Sequence, residues 1–223
     1  MRVLDLGCGY GCDLSIWGVG PVDQVVGLDI DASGLRAAKR RFTANHYLQG
    51  SAELLPFANE SFDYVICALA LPYTDIPLSL QEIHRTLAPG GKLSLSLHLP
   101  SFTLREFAKN AFPEPIAMLY RLYVLVNGLW FHFTGRTKRF RRNRTESFQT
   151  ERGMLLALRH AGFSALSFSR KPGPVSEMFF VEACKHPART DWPNRSSDFE
   201  DTEFAVNRKR ITPELLYRAY GSL

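Results

Sequence analysis

The sequence has few cysteines, little charge and no leader segment. Four cysteines in 223 residues are too few and too widely spaced for the disulfide framework of a small secreted protein. The chain does not open on a basic stretch followed by an apolar one, so no secretory signal is predicted. Charged residues make up only 22% and apolar residues 45%, which excludes a protein that is disordered throughout and predicts one globular core. We therefore expect a reduced, cytoplasmic protein.

A pattern of metal ligands is also missing from the sequence. There is no C-x-x-C pair and no histidine cluster that would complete a tetrahedral site. Cys8 and Cys12 flank a glycine-rich stretch, where a small side chain is needed for packing. The sequence predicts no metal site.

The positive charge of the chain is concentrated in one segment. The sequence has 27 Lys and Arg against 22 Asp and Glu, a net charge of +5. Six of these cations and no acid lie in residues 136–144, and the rest of the chain is close to neutral. The basic character therefore belongs to this segment and not to the whole fold.

Short apolar runs alternate with helical stretches, which is typical of strand–helix units around a mostly parallel sheet. The predicted strands are Arg2–Asp5, Gln24–Asp29, Tyr47–Gln49, Phe62–Ala68, Lys92–His98, Ala165–Ser169 and Glu177–Ala183. The predicted helices are Cys12–Trp17, Ser33–Asn45, Leu78–Leu87 and Gln149–Ala161. Ser33 is the expected N-cap of the second helix, and Pro89-Gly90-Gly91 is expected to end the third.

Two regions depart from this alternation. Residues 100–150 are too long for a plain loop in a compact domain, so we interpret them as a lid or substrate region inserted into a domain of residues 1–185. Residues 186–223 are poor in apolar side chains at first, which predicts an extended tail. A short helix is predicted within that tail, from Thr212 to Ala219.

A glycine-rich loop follows the first strand in Asp5-Leu6-Gly7-Cys8-Gly9-Tyr10-Gly11. Glycines let the backbone turn sharply and approach a ligand, and the amides of a following helix can bind an anionic group. The spacing G-x-G-x-G differs from the G-x-G-x-x-G fingerprint of dinucleotide sites. Asp5 would repel a pyrophosphate but suits a ligand with an ammonium group. Asp29, at the end of the second strand, can accept hydrogen bonds from both hydroxyls of a ribose.

Further motifs follow in order: Ala-Glu-x-Leu-Pro-Phe from Ala52, Ser-Phe-Asp from Ser61 and Leu-x-Pro-Gly-Gly from Leu87. Together with Asp-Leu-Gly-Cys-Gly and Gly-Leu-Asp-Ile-Asp, they resemble class I S-adenosylmethionine-dependent methyltransferases. The small-molecule branch that includes quinone- and biotin-pathway enzymes is most similar. The resemblance covers residues 2–98 densely and 150–184 in outline.

The resemblance implies an α/β fold with a Rossmann-like, seven-stranded, mostly parallel sheet in the order 3-2-1-4-5-7-6. It also implies S-adenosylmethionine bound across the carboxyl ends of strands 1 to 4. The implied cofactor-binding residues are Asp5, Gly7, Cys8 and Gly9 at the methionine part, Asp29 at the ribose, Ile30, Ser51 and Ala52 at the adenine, and Ala68 at the end of strand 4.

The sequence departs from the family pattern at three places. Ser51 stands where many relatives have Asp, and Cys67-Ala68-Leu69 stands where they often have Ser-Asn-Leu. Strand 1 begins almost at Met1, so the expected domain is N-terminally short and has a helical insert.

Methyl transfer from a sulfonium is an in-line displacement, so a general base is optional. For a hydroxyl acceptor, a histidine with a pKa near neutrality is the natural proton acceptor. His98, at the end of strand 5, is the first catalytic candidate, and Tyr73, after strand 4, is the second.

The insert contains an apolar segment in residues 115–133, followed directly by the basic segment. A helix that is apolar on nearly all faces is buried, caps an apolar pocket or rests on a membrane. Arg121, Asn127 and the short length argue against a spanning helix. The sequence therefore leaves open a buried lid helix or a membrane-surface contact through 115–144, which would make the protein peripheral.

Two other functions stay open alongside a small, apolar or lipid-like acceptor. The basic run with Phe140 could bind RNA, although no separate RNA-binding module is present, so nucleic acid is the weaker hypothesis. A non-catalytic protein that binds S-adenosylmethionine or acts as a scaffold is the other alternative. A monomer and a dimer are both compatible with the sequence.

Overall fold

The computed structural model describes residues 1–12, 14–109, 115–140, 145–172 and 177–186. The predicted tail and its helix from Thr212 to Ala219 lie outside these ranges, apart from His186. The predicted strands of the sheet are all present, with the bounds β1 Arg2–Leu6, β2 Gln24–Asp29, β3 His46–Gln49, β4 Phe62–Ala68, β5 Leu87–His98, β6 Phe163–Pro172 and β7 Glu177–Lys185.

The sheet has the order β3-β2-β1-β4-β5-β7-β6, which confirms the predicted fold class. Strands β1 to β5 pair in parallel, and β7 pairs antiparallel with both β5 and β6. The strand order reverses between β1 and β4. In an open parallel sheet this switch point leaves a crevice at the carboxyl ends of the strands, where ligands bind.

Five α-helices accompany the sheet in the described part of the chain. They are α1 Ala32–Arg41, α2 Ile76–Thr86, α3 Pro100–Lys109, α4 Pro115–Thr134 and α5 Glu151–His160. The expected helix at Cys12–Trp17 is instead a short 3-10 helix, Leu14–Trp17. Gly11 and Gly18 on either side have positive φ angles of 77°, so the backbone leaves the helical region at both ends.

The ends of two helices correct the sequence interpretation. Asp31, not Ser33, is the N-cap of α1, because its carboxylate accepts hydrogen bonds from the backbone N–H of Ser33 and Gly34. Helix α2 ends at Thr86, and Pro89-Gly90-Gly91 lies within β5. The register of β4 and β5 is irregular at this point, so these residues form a bulge rather than a helix terminus.

The main core lies between the sheet and helices α2 and α5. Strands β1, β4, β5 and β7 contribute alternate residues to it, and α5 contributes Met154, Ala157 and Leu158. Phe131 of α4 belongs to the same core and is completely buried. The insert is therefore packed into the domain that the sheet forms.

Helix α4 has two apolar faces, and only one of them is covered by the described part of the chain. Val124, Asn127 and Phe131 lie on the inner face and are buried. We call the opposite side the outer face of α4. It consists of large apolar side chains with exposed fractions of 42–74%, namely Met118, Leu119, Leu122, Val126, Leu129, Trp130 and Phe133. No helix in the described ranges is both long enough and apolar enough to cross a membrane.

Candidate functional site

The loop after β1 is tightly folded by hydrogen bonds of its own backbone. Gly7, Gly9 and Gly11 have φ angles of 72°, 48° and 77°, which favour glycine. The N–H groups of Gly7 and Cys8 donate to the carbonyl of Leu28 at 2.7 and 3.2 Å, and Gly11 donates to Cys8 at 2.8 Å. These amides are therefore used within the protein. The predicted α-helix Cys12–Trp17 does not follow this loop, since the structure has only the short 3-10 helix Leu14–Trp17 there.

Asp29 connects the glycine loop to the end of β2. One carboxylate oxygen accepts a hydrogen bond from the N–H of Gly9 at 2.8 Å, and the other accepts from the N–H of Asp31 at 2.8 Å. Each carboxylate oxygen can accept a second hydrogen bond. The side chain is half-buried and ends the strand at the carboxyl edge of the sheet.

Asp5 lies beneath this loop and is 4% exposed. Burial, and secondarily the negative charge of Asp29, raise the pKa of Asp5 to about 7. Desolvation disfavours the charged carboxylate, whereas a cation placed beside it would restore ionisation.

The side chain of Cys8 is buried inside the domain. Its side chain is 7% exposed and packs beside Gly27 and Tyr47, where a Cβ on Gly27 would lie 2.9 Å from the sulfur atom. Burial raises the pKa of the thiol above its ordinary value. The thiol is therefore a packing group.

The loop after β4 touches the glycine loop, a contact that sequence reasoning missed. A Cβ built on Gly7 would lie 2.1 Å from the Cβ of Ala70, so only glycine fits there. The preceding residue, Leu69, has a positive φ of 61°, and its N–H donates to the carbonyl of Ser96 at 2.9 Å. The close approach places Ala68, at the end of β4, next to the glycine loop. The sequence feature that could have indicated this contact is the small residue Ala70, two positions after the end of β4.

The ends of β2 and β3 provide an apolar surface and a polar edge. Ile30 is 74% exposed directly after β2, although large apolar side chains are usually covered. The amide of Gln49 donates to the carbonyl of Ile30 at 2.9 Å and holds the two strand ends together. Ser51 and Ala52 follow β3 and are half-buried. Topology therefore brings these predicted residues to the same sheet edge as Asp29.

The two catalytic candidates lie on neighbouring connections of this edge. His98 ends β5 and stacks on Phe102 of α3, with ring centroids 4.1 Å apart. Its Nδ1 is buried and has no hydrogen-bond partner among the described residues, and burial lowers the pKa of the ring. Tyr73 ends the 3-10 helix Leu71–Tyr73 and is 64% exposed. Burial of the His98 ring therefore favours its neutral form.

An ion pair holds the segment after α4 on the side of the molecule where the two catalytic candidates lie. The guanidinium Nε of Arg139 lies 3.2 Å from a carboxylate oxygen of Asp75, the N-cap of α2. Helix α2 follows β4 and so begins at the carboxyl edge of the sheet. Residues 138–140 therefore lie near the crevice.

The order of the sheet and the crevice at its carboxyl edge give this chain the fold of Rossmann-like methyltransferase structures. Residues 4–95 match the family model described as a methyltransferase domain. The resemblance predicted from the sequence is confirmed: this stretch, which is less than half of the chain, is similar to the methyltransferase-domain family. The match includes the glycine loop, Asp29 and the end of β4.

Named relatives agree with this assignment. The malonyl-[acyl-carrier protein] O-methyltransferase of Erwinia pyrifoliae is 39% identical over 97 residues, which cover 43% of this chain and 37% of the relative. The demethylmenaquinone methyltransferase of Lactococcus lactis is 29% identical over 204 residues, which cover 84% of this chain and 75% of the relative. The chain spans less than two fifths of the length of the malonyl-carrier relatives it matches.

A solved structure has the same fold. The S-adenosylmethionine-dependent methyltransferase of Methanosarcina mazei superposes with a TM-score of 0.58 and covers 83% of this chain and 92% of its own. The two sequences are 19% identical, so the comparison supports the architecture alone.

Proposed function

We propose that the protein is an S-adenosylmethionine-dependent methyltransferase that acts on a small, apolar or lipid-like acceptor. The observation that carries this proposal is the junction of three loops at the carboxyl edge of the sheet. There Asp29 binds the backbone of Gly9, and Gly7 touches Ala70. This arrangement leaves a buried acid and a half-buried acid beside a loop whose amides are not available to a diphosphate.

The residues of this junction have distinct proposed roles toward the cofactor. Asp5, when ionised, faces the ammonium of the methionine part, and Asp29 accepts the ribose hydroxyls. The exposed side chain of Ile30 packs on the adenine ring, because a large apolar group at a site's rim gains free energy when it is covered. The remaining proposed contacts are made by Gly7, Cys8, Gly9, Ser51, Ala52 and Ala68.

The bound cofactor supplies an activated methyl group, and the protein's task is to orient the acceptor toward it. Correct alignment alone can lower a barrier by about 7–11 kcal/mol. His98 is the proposed general base for a hydroxyl acceptor, because burial favours the neutral form of its ring and its buried Nδ1 lacks a partner in the described residues. Tyr73 is the second candidate and has an exposed side chain at the same edge.

The names of two of the relatives support an apolar acceptor. One is named for demethylmenaquinone, and another, from Mycobacterium leprae, for phthiotriol dimycocerosates. These names give no support to the RNA hypothesis. We also propose a cytoplasmic location with peripheral membrane contact through residues 115–144, and a monomer or dimer as the working form.

Calorimetric titration with S-adenosylmethionine and with its demethylated product tests the proposed cofactor site. Asp29→Ala is expected to weaken binding at least about tenfold, because it removes both the ribose acceptor and the bond to Gly9. Gly9→Val is expected to abolish binding, because no protein atom lies within 4 Å of the added Cβ and the side chain would occupy ligand space.

The matched control is Val22→Ser, at an 89% exposed position outside the crevice. It should bind the cofactor as the unaltered protein does. Circular dichroism verifies that all variants are folded. Unchanged affinity in both Asp29→Ala and Gly9→Val would contradict the assigned site.

A further inference from the structure

The outer face of α4 is an apolar surface that the described residues leave largely exposed. Its side chains recur at intervals of three and four residues, so they form one stripe along the helix. Leu122, Val126 and Leu129, in the middle of the stripe, are 55–56% exposed. A stripe of this size on a helix is unusual for a surface that faces only water.

The inner face explains why the stripe cannot turn inward. Phe131 is completely buried in the main core, and Gly128 packs so closely on Phe148 that a Cβ there would lie 2.2 Å from its ring. The buried side chain of Asn127 donates to the carbonyl of Glu146 at 2.8 Å and accepts from the N–H of Lys138 at 2.7 Å. These contacts fix the rotation of α4 about its axis. The outer face is therefore held outward by specific packing.

Positive charge lies beside the apolar stripe. The ammonium of Lys138 is 4.0 Å from the ring centroid of Trp130, at a groove of about 310 Å³ that Tyr123 and Phe133 also line. The sequence from Pro115 to Thr145 contains no Asp or Glu, whereas it contains seven Lys and Arg. The headgroup region of a membrane with anionic lipid offers phosphates to a cation and an apolar layer beneath them. An aromatic ring with a cation over it, next to an apolar stripe, is suited to bind there.

We infer that the outer face of α4 docks on the surface of an anionic lipid bilayer, with the helix lying in the plane of the membrane. Leu122, Val126 and Leu129 enter the acyl boundary, and Lys138 and Arg136 contact lipid phosphates. This docking rests on the proposed function, because it would serve a methyltransferase whose acceptor is apolar. Because Arg139 is attached to Asp75 at the carboxyl edge, docking brings the crevice close to apolar acceptors dissolved in the membrane.

Vesicle flotation of the full chain tests the inference. Phosphatidylcholine vesicles are compared with vesicles that also contain phosphatidylserine, over a range of salt concentrations. The unaltered protein is expected to float with the anionic vesicles and to be released by salt, since the charge contribution is screened. The double variant Leu122→Ser/Leu129→Ser should bind at least about tenfold more weakly, because two large apolar side chains no longer enter the lipid.

A second pair of variants separates the contribution of local charge from that of total charge. Arg136→Gln/Lys138→Gln should lose the preference for anionic vesicles. Lys39→Gln/Arg40→Gln removes the same charge from exposed positions at the end of α1 and should keep it. Tryptophan emission should shift to shorter wavelength on binding, and Trp130→Phe should remove that shift.

Three results would overturn the inference. One is equal binding to both kinds of vesicle, and another is unchanged binding of the Leu122→Ser/Leu129→Ser variant. The third is self-association of the unaltered protein that the same variant abolishes, which would assign the face to a second copy of the chain. Flotation is carried out without S-adenosylmethionine or acceptor, so its failure is independent of a failure of the cofactor titration.

Discussion

At the scale of single residues, Asp5 has the most unusual environment in the crevice. It is a carboxyl group within a buried strand, and its neighbour Asp29 carries the same charge. Its raised pKa, about 7, means that the ligand-free protein holds this group partly protonated near neutral pH. An ammonium beside it favours ionisation, so cofactor binding should lower the pKa and release a proton.

Cofactor affinity should consequently depend on pH. Below the pKa of Asp5 the proton must leave before the ammonium is paired, and above it the carboxylate is ready. We expect the affinity for S-adenosylmethionine to rise roughly tenfold from about pH 6 to about pH 8 and then to level off. Calorimetry at several pH values, in buffers with different heats of ionisation, measures both the affinity and the released proton.

The control for this prediction is Asp5→Asn, which keeps the size of the side chain but cannot ionise. Its affinity should be lower at high pH and should lack the rise. If the asparagine variant shows the same pH dependence as the unaltered protein, another group is responsible.

The residue scale also shows where sequence reasoning fails. Ser33 and Asp31 are both good N-caps, and sequence alone does not decide between them. In the structure Asp31 is the N-cap, and its carboxylate also accepts a hydrogen bond from the hydroxyl of Ser33. Ala70 could not be assigned to the site, since only the packing of β4 against β1 brings it to Gly7.

At the scale of elements, the junction between α4 and α5 depends on one threonine. The hydroxyl of Thr150 accepts a hydrogen bond from the N–H of Gly153 at 3.1 Å and thereby caps α5. The same oxygen lies 2.9 Å from Nδ1 of His132, on α4. The side chain of Thr150 thus lies where the insert ends and where helix α5, which leads back to the sheet, begins.

Thr150→Ala is expected to lower the free energy of unfolding by about 1 kcal/mol, because an N–H of α5 loses its acceptor. Urea denaturation followed by circular dichroism measures the change. Thr150→Ser keeps the hydroxyl and should retain most of the stability. A loss in the serine variant as large as that in the alanine variant would indicate that the methyl group, and not the cap, stabilises this junction.

At the scale of the whole molecule, the insert and the sheet share one core. Phe131 comes from the insert, yet it packs with α5 and contacts Gly153 so closely that a Cβ there would lie 2.6 Å from its ring. The sequence predicts residues 1–185 as one domain with a lid or substrate region at 100–150. The shared core leads us to propose that α4 unfolds together with the sheet.

Phe131→Ala should therefore destabilise the entire domain by about 3–5 kcal/mol, because it leaves a large cavity in the core. Phe133→Ala, two positions along the helix, should change stability by less than about 0.5 kcal/mol because its side chain is 64% exposed. Far-ultraviolet and tryptophan signals should show a single transition in urea. Two separate transitions, or equal effects of the two substitutions, would contradict a common core.

The sequence by itself determined the strand–helix order, the glycine loop and the acids Asp5 in β1 and Asp29 at the end of β2. These features depend on local patterns: apolar periodicity defines strands, and glycines at alternate positions define a turn. Only the tertiary structure decided that the loop amides are used internally, that Ala70 requires Gly7, and that α4 buries one apolar face and exposes the other. Each of these depends on contacts between residues far apart in sequence, and a helix with apolar residues on both sides has no pattern that selects its buried face.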